Sequence, residues 1–426
     1  MTDRRQGRVL RRVIAATLSV LAIGSVAVTS ARPADAEERC VAPGKTYKPL
    51  PWAQMTLDPQ RVWPFATGRG QTVAVVDTGI DGNQPQLSGR VLTGTNVGDG
   101  KSAGNKDCAG HGTQVAGVIA AKSSAGVGFR GIAPDARLLP VALTAANQVP
   151  DSNVDPKLLA KGITWAVGHG ATIVTVPYAT YTDDAGLKSA VAAAHRHGVL
   201  VVAATGDLGT EQNPVPYPAA YPGVLAVGTL AADGTVSENS GSGEFVGLVA
   251  PGASVVTTQA GSGMVLVDGS AFAAGFASAV AALAWSHKPD LSVDELVHRL
   301  EATAAPGGEA APGRHYGWGI ADPYQAVVGR TADGPGRALP SAPAKHIDKA
   351  AQMRAHAWAT STNLALIGTG SGIAAALLII AAMVYLPRGR RRRWRAGRTA
   401  GPYDDPEADM PSVPVHLFKE PEADRS

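Results

Sequence analysis

The feature that most constrains this chain is a regular alternation between Trp63 and Val328 of short apolar runs with helical patterns. "TVAVVDTGI", "ARLLPVAL", "ATIVTVPYA" and "VLVVAATGD" are runs of strand length that end in polar or glycine turns. They do not alternate polar with apolar residues, which is the pattern of strands covered on both faces. Between them stand "GTQVAGVIAAK", "DPKLLAKGITWAVGHG" and "DAGLKSAVAAAHRHG", read as helices, the last two closed by Gly170 and Gly198. Strands that alternate with helices predict an α/β fold, a mostly parallel sheet with helices on both faces and right-handed connections. With 45% hydrophobic and 17% charged residues in 426, the chain has ample apolar surface for one large domain with attachments.

The two ends read differently from the middle. "MTDRRQGRVLRR" followed by "VIAATLSVLAIGSVAV" is a cationic segment leading into an apolar one, and "ADA" at Ala34–Ala36 fits a small-residue cleavage site. Residues 1–36 are therefore expected to be a signal peptide, the alternative being an uncleaved anchor. Leu364 to Leu386 is an uncharged apolar run long enough to span a bilayer as a helix, and "PRGRRRRWRAGR" follows at once. The positive-inside rule keeps that arginine cluster in the cytoplasm and the domain on the extracytoplasmic side of a cell membrane. The expected layout is a signal peptide over 1–36, an extension over 37–62, the α/β domain over 63–329 and a Pro/Ala-rich linker over 330–363. A transmembrane helix over 364–386 and a tail over 387–426, basic and then disordered, complete it.

The net charge of +3 is too small to suggest a nucleic-acid partner. The chain has two cysteines, Cys40 and Cys108. Outside a membrane a disulfide between them is permitted, and it is favoured over two free thiols because a lone exported thiol is prone to oxidation. "VGDGKSAGNKD" before His111 carries too few acids for a calcium site, and no metal or cofactor is expected. His169, His195 and His197 lie near helix ends and read as capping or solvated residues.

In parallel α/β sheets ligands bind at the carboxyl ends of the strands. That rule selects Asp77, at the end of "VAVVD", and Asp207, after "VVAATG". It also draws in His111, which opens a helix in "GHGTQVAG". Far downstream, "VDGSAFAAGFAS" runs a glycine turn into a small-residue helix. Asp, His and a serine turn, in that chain order, is the order of the subtilisin triad.

On these motifs the chain resembles the subtilisin-like serine proteases, from "TGRGQTVAVVDTGID" to "GWGIADPYQAV". It is most similar to the mycosins, membrane-anchored subtilases of type VII secretion systems, in "DCAGHGTQVAGVIAA", "YPAAYPGVLAVGTL" and "LVAPG". The resemblance implies a serine endopeptidase frame: Asp77 orienting a base, His111 acting as that base, and a serine attacking the peptide carbonyl. It also implies a type VII secretion membrane complex as partner and a peptide or protein client in the cleft.

Two site positions depart from that pattern. The family's nucleophile turn reads Gly-Thr-Ser-x-Ala, and "GSAFA" places Ser270 on the threonine and Ala271 on the nucleophile. The family's oxyanion asparagine is replaced by Asp207, whose ionised carboxylate only accepts hydrogen bonds. In addition, "TVPY" puts Pro177, which has no N–H, on the strand that lines the specificity pocket. Loss of a triad nucleophile costs about 10⁶-fold in turnover, and loss of one oxyanion donor about 10²–10³-fold. The sequence therefore predicts a pseudoprotease with a structural or peptide-binding role. The alternative is an active endopeptidase with a shifted nucleophile, Ser270, ahead of Ser262 and Ser278.

Overall fold

The computed structural model describes residues 40–144, 153–209 and 213–330. The expected signal peptide, transmembrane helix and cytoplasmic tail lie outside them, as does all but the first residue of the expected linker. Among the described residues no helix is long and apolar enough to cross a membrane.

In chain order the elements are α1 (Trp52–Leu57), β1 (Thr72–Asp77), β2 (Thr95–Asn96), α2 (His111–Ala120), β3 (Arg137–Ala142), α3 (Pro156–Gly168), β4 (Ile173–Val176) and α4 (Ala185–Arg196). There follow β5 (Leu200–Ala204), β6 (Val224–Leu230), β7 (Val246–Pro251), β8 (Val255–Thr258), β9 (Met264–Val267), α5 (Ser270–His287), α6 (Val293–Ala302) and α7 (Pro323–Val328). Seven strands form one parallel sheet in the order β2-β3-β1-β4-β5-β6-β7. β8 and β9 pair separately as an antiparallel hairpin. The strand order reverses at β1, which has β3 on one side and β4 on the other. A crevice opens at such a switch point, outside the carboxyl ends of the strands.

Both faces of the sheet are covered, which is why its strands are apolar throughout. Along β1, Val73 and Val75 enter the core shared with α2 and α5. Ala74 and Val76 enter the core shared with α3 and α4, as the two-residue period of a strand requires. α5 is buried from Ser270 to Trp285. A small-residue helix whose only polar side chains over this stretch are Ser270 and Ser278 suits that place, since no face of it has to meet water.

Small residues let α2 lie close to its neighbours. A Cβ on Gly117 would stand 2.1 Å from Thr258 Oγ1 and 2.6 Å from Thr257 Oγ1. Both threonines donate from β8 to carbonyls of α2, Thr258 to Thr113 at 2.9 Å and Thr257 to Gln114 at 2.6 Å. Gly275 of α5 makes a similar approach, with its would-be Cβ 2.7 Å from Val118 Cγ2.

Cys40 and Cys108 are joined in a disulfide. The extension beyond it continues along the hairpin: Gly44 N–H donates to Ser262 and Lys45 N–H to Met264, at 2.8 and 2.9 Å. The Trp52 indole donates to Ser254 O at 2.9 Å.

Gly117→Ala gains helix propensity of about 1 kcal/mol. The threonine pair it would strike also holds α2, so we expect overpacking to prevail and stability to fall by about 1–3 kcal/mol. Urea denaturation of the purified protein measures this, and an unchanged or raised midpoint would refute the close contact.

Candidate active site

The switch point brings Asp77, His111, Asp207, Ser270 and Ala271 to one end of the sheet. Asp77 ends β1 and is fully buried. His111 opens α2, and its side chain keeps one-fifth of its surface exposed (20%). The Nδ1 of His111 lies 2.8 and 2.9 Å from the two oxygens of Asp77. A carboxylate only accepts, so in the neutral imidazole Nδ1 carries the hydrogen and Nε2 is left with a lone pair.

Local chemistry explains why α2 begins at His111. Gly110, the residue before it, has φ 89°, in the left-handed region open to glycine. Glycine has no side chain to satisfy the free N–H groups of the first turn. Asp107 does so instead, accepting from Gly110 N–H and Thr113 N–H at 2.8 Å each and from the Thr113 hydroxyl at 2.6 Å. Thr78 takes the Gly112 N–H at 2.9 Å and donates its own hydroxyl to Asp107 at 2.9 Å. This set ties the end of β1 to the start of α2. Composition did not single out Asp107, although an acid three residues ahead of a Gly-His helix start is a legible capping signal.

Tyr178 follows β4 and was legible only as part of "TVPY". Its hydroxyl lies 3.2 Å from Asp77 Oδ1 and 3.1 Å from His111 Nδ1. Burial, with the Asp77 charge beside it, pushes the Tyr178 phenol well above its ordinary value, so it stays protonated and donates to Asp77. The ring of Phe272 packs against the imidazole at a tilt, with centroids 5.5 Å apart. Burial disfavours the charged imidazole, but the carboxylates of Asp77, Asp107 and Asp207 outweigh it and hold the His111 pKa above its ordinary 6.5.

Ser270 and Ala271 form the first turn of α5 and line the same cleft as His111, a space of about 170 Å³. Ser270 is engaged elsewhere: its backbone N–H donates to Asp207 Oδ1 at 2.8 Å, and its hydroxyl to Asp207 Oδ2 at 3.1 Å. Partial desolvation in the cleft raises the Asp207 pKa, against the pull of those two bonds and of His111. Ser278 is buried in α5 and accepts from Thr175 at 2.8 Å, away from the histidine. His169 meets the Trp165 carbonyl and His195 meets Asp294, so neither joins the site.

A carboxylate-oriented histidine at the switch point of a parallel sheet, facing the first turn of a buried helix, is the frame of a subtilisin-like hydrolase. Residues 68–319 match the model of the Subtilase family, and the chain belongs to that family. It is 32% identical to Mycosin-1 of Mycolicibacterium smegmatis over 350 residues, 70% of this chain and 77% of that protein. It is 36% identical to the major intracellular serine protease of Bacillus subtilis over 231 residues, 52% of this chain and 70% of that protein. The crystal structure of MycP1 from the ESX-1 type VII secretion system superposes with a TM-score of 0.62 at 30% identity, covering 70% of this chain and 92% of that one.

The raised His111 pKa has a definite sign. The folded state holds this proton more tightly than the unfolded chain, so the contribution is full below about pH 6.5 and is lost as pH rises through the folded value. We expect Asp77→Asn to lower the His111 titration midpoint by about one to three pH units, as read by NMR of the imidazole. A midpoint that does not move would remove Asp77 as the main charge acting on His111.

Proposed function

We propose that this mycosin-like subtilase does not cleave peptides and serves a type VII secretion membrane complex as an anchored structural or peptide-holding subunit. The observation that carries the reading is the Asp207–Ser270 pair beside the Ala271 methyl. Ala271 stands on the family's nucleophile position without a hydroxyl, so no acyl-enzyme forms there. Ser270, the one candidate substitute beside it, holds its hydroxyl on Asp207. Asp207 in turn presents a carboxylate where the family's asparagine offers an N–H, and like charge opposes a developing oxyanion. Asp77 and His111 remain as an oriented acid–base pair with nothing beside them to activate.

The assignment to a secretion complex rests on likeness to proteins whose names place them there, among them MycP1 of the ESX-1 system and MycP3 of the ESX-3 system. The anchoring rests on the apolar run Leu364 to Leu386 and the arginines after it. On this reading residues 1–36 are removed, the domain over 63–329 faces outward, and the tail after 386 is cytoplasmic.

Full-length protein in membranes should not react with a fluorophosphonate probe, while Ala271→Ser combined with Asp207→Asn should gain labelling at residue 271. Labelling of Ser270 in the unaltered protein would overturn the proposal in favour of a shifted nucleophile.

The anchor is tested separately. Alkaline carbonate should leave the full chain in the membrane pellet and release a chain ending at residue 363. Release of both forms would refute the span.

A further inference from the structure

Asp207 is more than a missing asparagine. With Asp268 and Gly269 it lines two adjoining cavities, the cleft at His111 and a second space of about 160 Å³. Both carboxylates belong to exposed residues. Neither cavity has a lysine or arginine in its lining, and the one basic group is His111. Asp268 accepts the Ser254 N–H at 2.7 Å and the Ser254 hydroxyl at 3.2 Å, both on Oδ1. A carboxylate has about four lone-pair sites, so each acid keeps capacity for further donors.

An independent observation points to a donor from outside. Thr229 lines the second cavity, is 2% exposed, and its Oγ1 has no hydrogen-bond partner. Buried hydroxyls are normally paired, and Thr229 lines the same cavity as Asp207 and Asp268, where a ligand N–H would supply the missing partner. The cleft also offers an apolar wall, from Pro177 and Ala179 to Tyr181 and Leu208. A long side chain with an aliphatic stem and a cationic head uses both parts, the stem on the wall and the head on the acids.

We infer that this site takes the cationic head of a lysine or arginine side chain from an extended peptide, held between Asp207 and Asp268. A divalent metal fits less well. Among the described residues no group of three or more His, Cys, Asp or Glu side chains is placed to hold one, and calcium asks for six to eight oxygens. The inference rests on the non-cleaving reading in one respect, that the peptide stays intact once bound.

The test uses full-length protein in EDTA and fluorescence anisotropy with labelled extended peptides that differ at one central residue. Arginine and lysine peptides should bind about tenfold tighter than the glutamine peptide, the ordinary worth of a hydrogen bond to a charged group, and the glutamate peptide should bind weakest. Asp207→Asn and Asp268→Asn should each remove most of that preference, and Thr229→Val should reduce it with the charges untouched. Equal binding of the arginine and glutamine peptides to unaltered protein would overturn the inference without recourse to any variant. Calcium-dependent binding restored by leaving out EDTA would overturn it in favour of a metal. Mass spectrometry of the recovered arginine peptide separates the two readings. A cut peptide with the preference intact sinks the non-cleaving reading and leaves the cation site standing.

Discussion

The first turn of α2 is where this site is held together. Its free N–H groups must be satisfied in a place from which water is largely excluded, and Gly110 cannot help. Asp107 and Thr78 take the N–H groups of Gly110, Gly112 and Thr113, and two hydroxyl bonds to Asp107, from Thr78 and Thr113, help to fix the end of β1 against the start of α2. Asp77 directly precedes Thr78 and His111 stands between Gly110 and Gly112, so the knot brings their side chains within reach of each other. The glycines that let α2 lie flush against β8 and α5 serve the same end, since a displaced helix would carry the histidine with it.

The opposite wall of the cleft is organised by charge. In a working subtilase the turn before the buried helix presents N–H groups to a substrate oxygen. Here Asp207 takes the Ser270 N–H and hydroxyl for itself, so the protein supplies its own anion. On the proposed reading, a cleft filled in this way repels a carbonyl oxygen that is gaining charge and attracts cations. The same carboxylate helps to hold the His111 proton in place. On the proposed reading, the alanine at position 271 and the carboxylate at position 207 belong to one rearrangement, and the Asp207–Ser270 contact that joins the two turns spans 63 positions of the chain.

Most of the fold was legible in the sequence because each strand and helix has its own signal. The apolar runs ending at Asp77 and Ala204 gave strands, and Gly170 and Gly198 marked the ends of α3 and α4. The Asp–His–turn order gave the frame of the site, and the missing hydroxyl at Ala271 can be read from a single letter. What the residues alone did not show is pairing across distance. Tyr178 reaches Asp77 and His111 from a different strand, and a tyrosine after a strand has no period or spacing that announces it. Gly275 carries no signal in the sequence either, yet its missing Cβ makes room for Val118. Ser270 read as a fallback nucleophile because its partner, Asp207, is remote in the chain.

The disulfide has a consequence for the site. Cys108 directly follows Asp107, so the bridge from Cys40 clamps the very loop that caps α2. A thiol pair closes only where the surroundings are oxidising. With the bridge reduced, the capping loop would be unclamped and held at this point by its hydrogen bonds. The seat of the histidine is thereby tied to the redox state of the surroundings, through a bond between cysteines 68 residues apart in the chain.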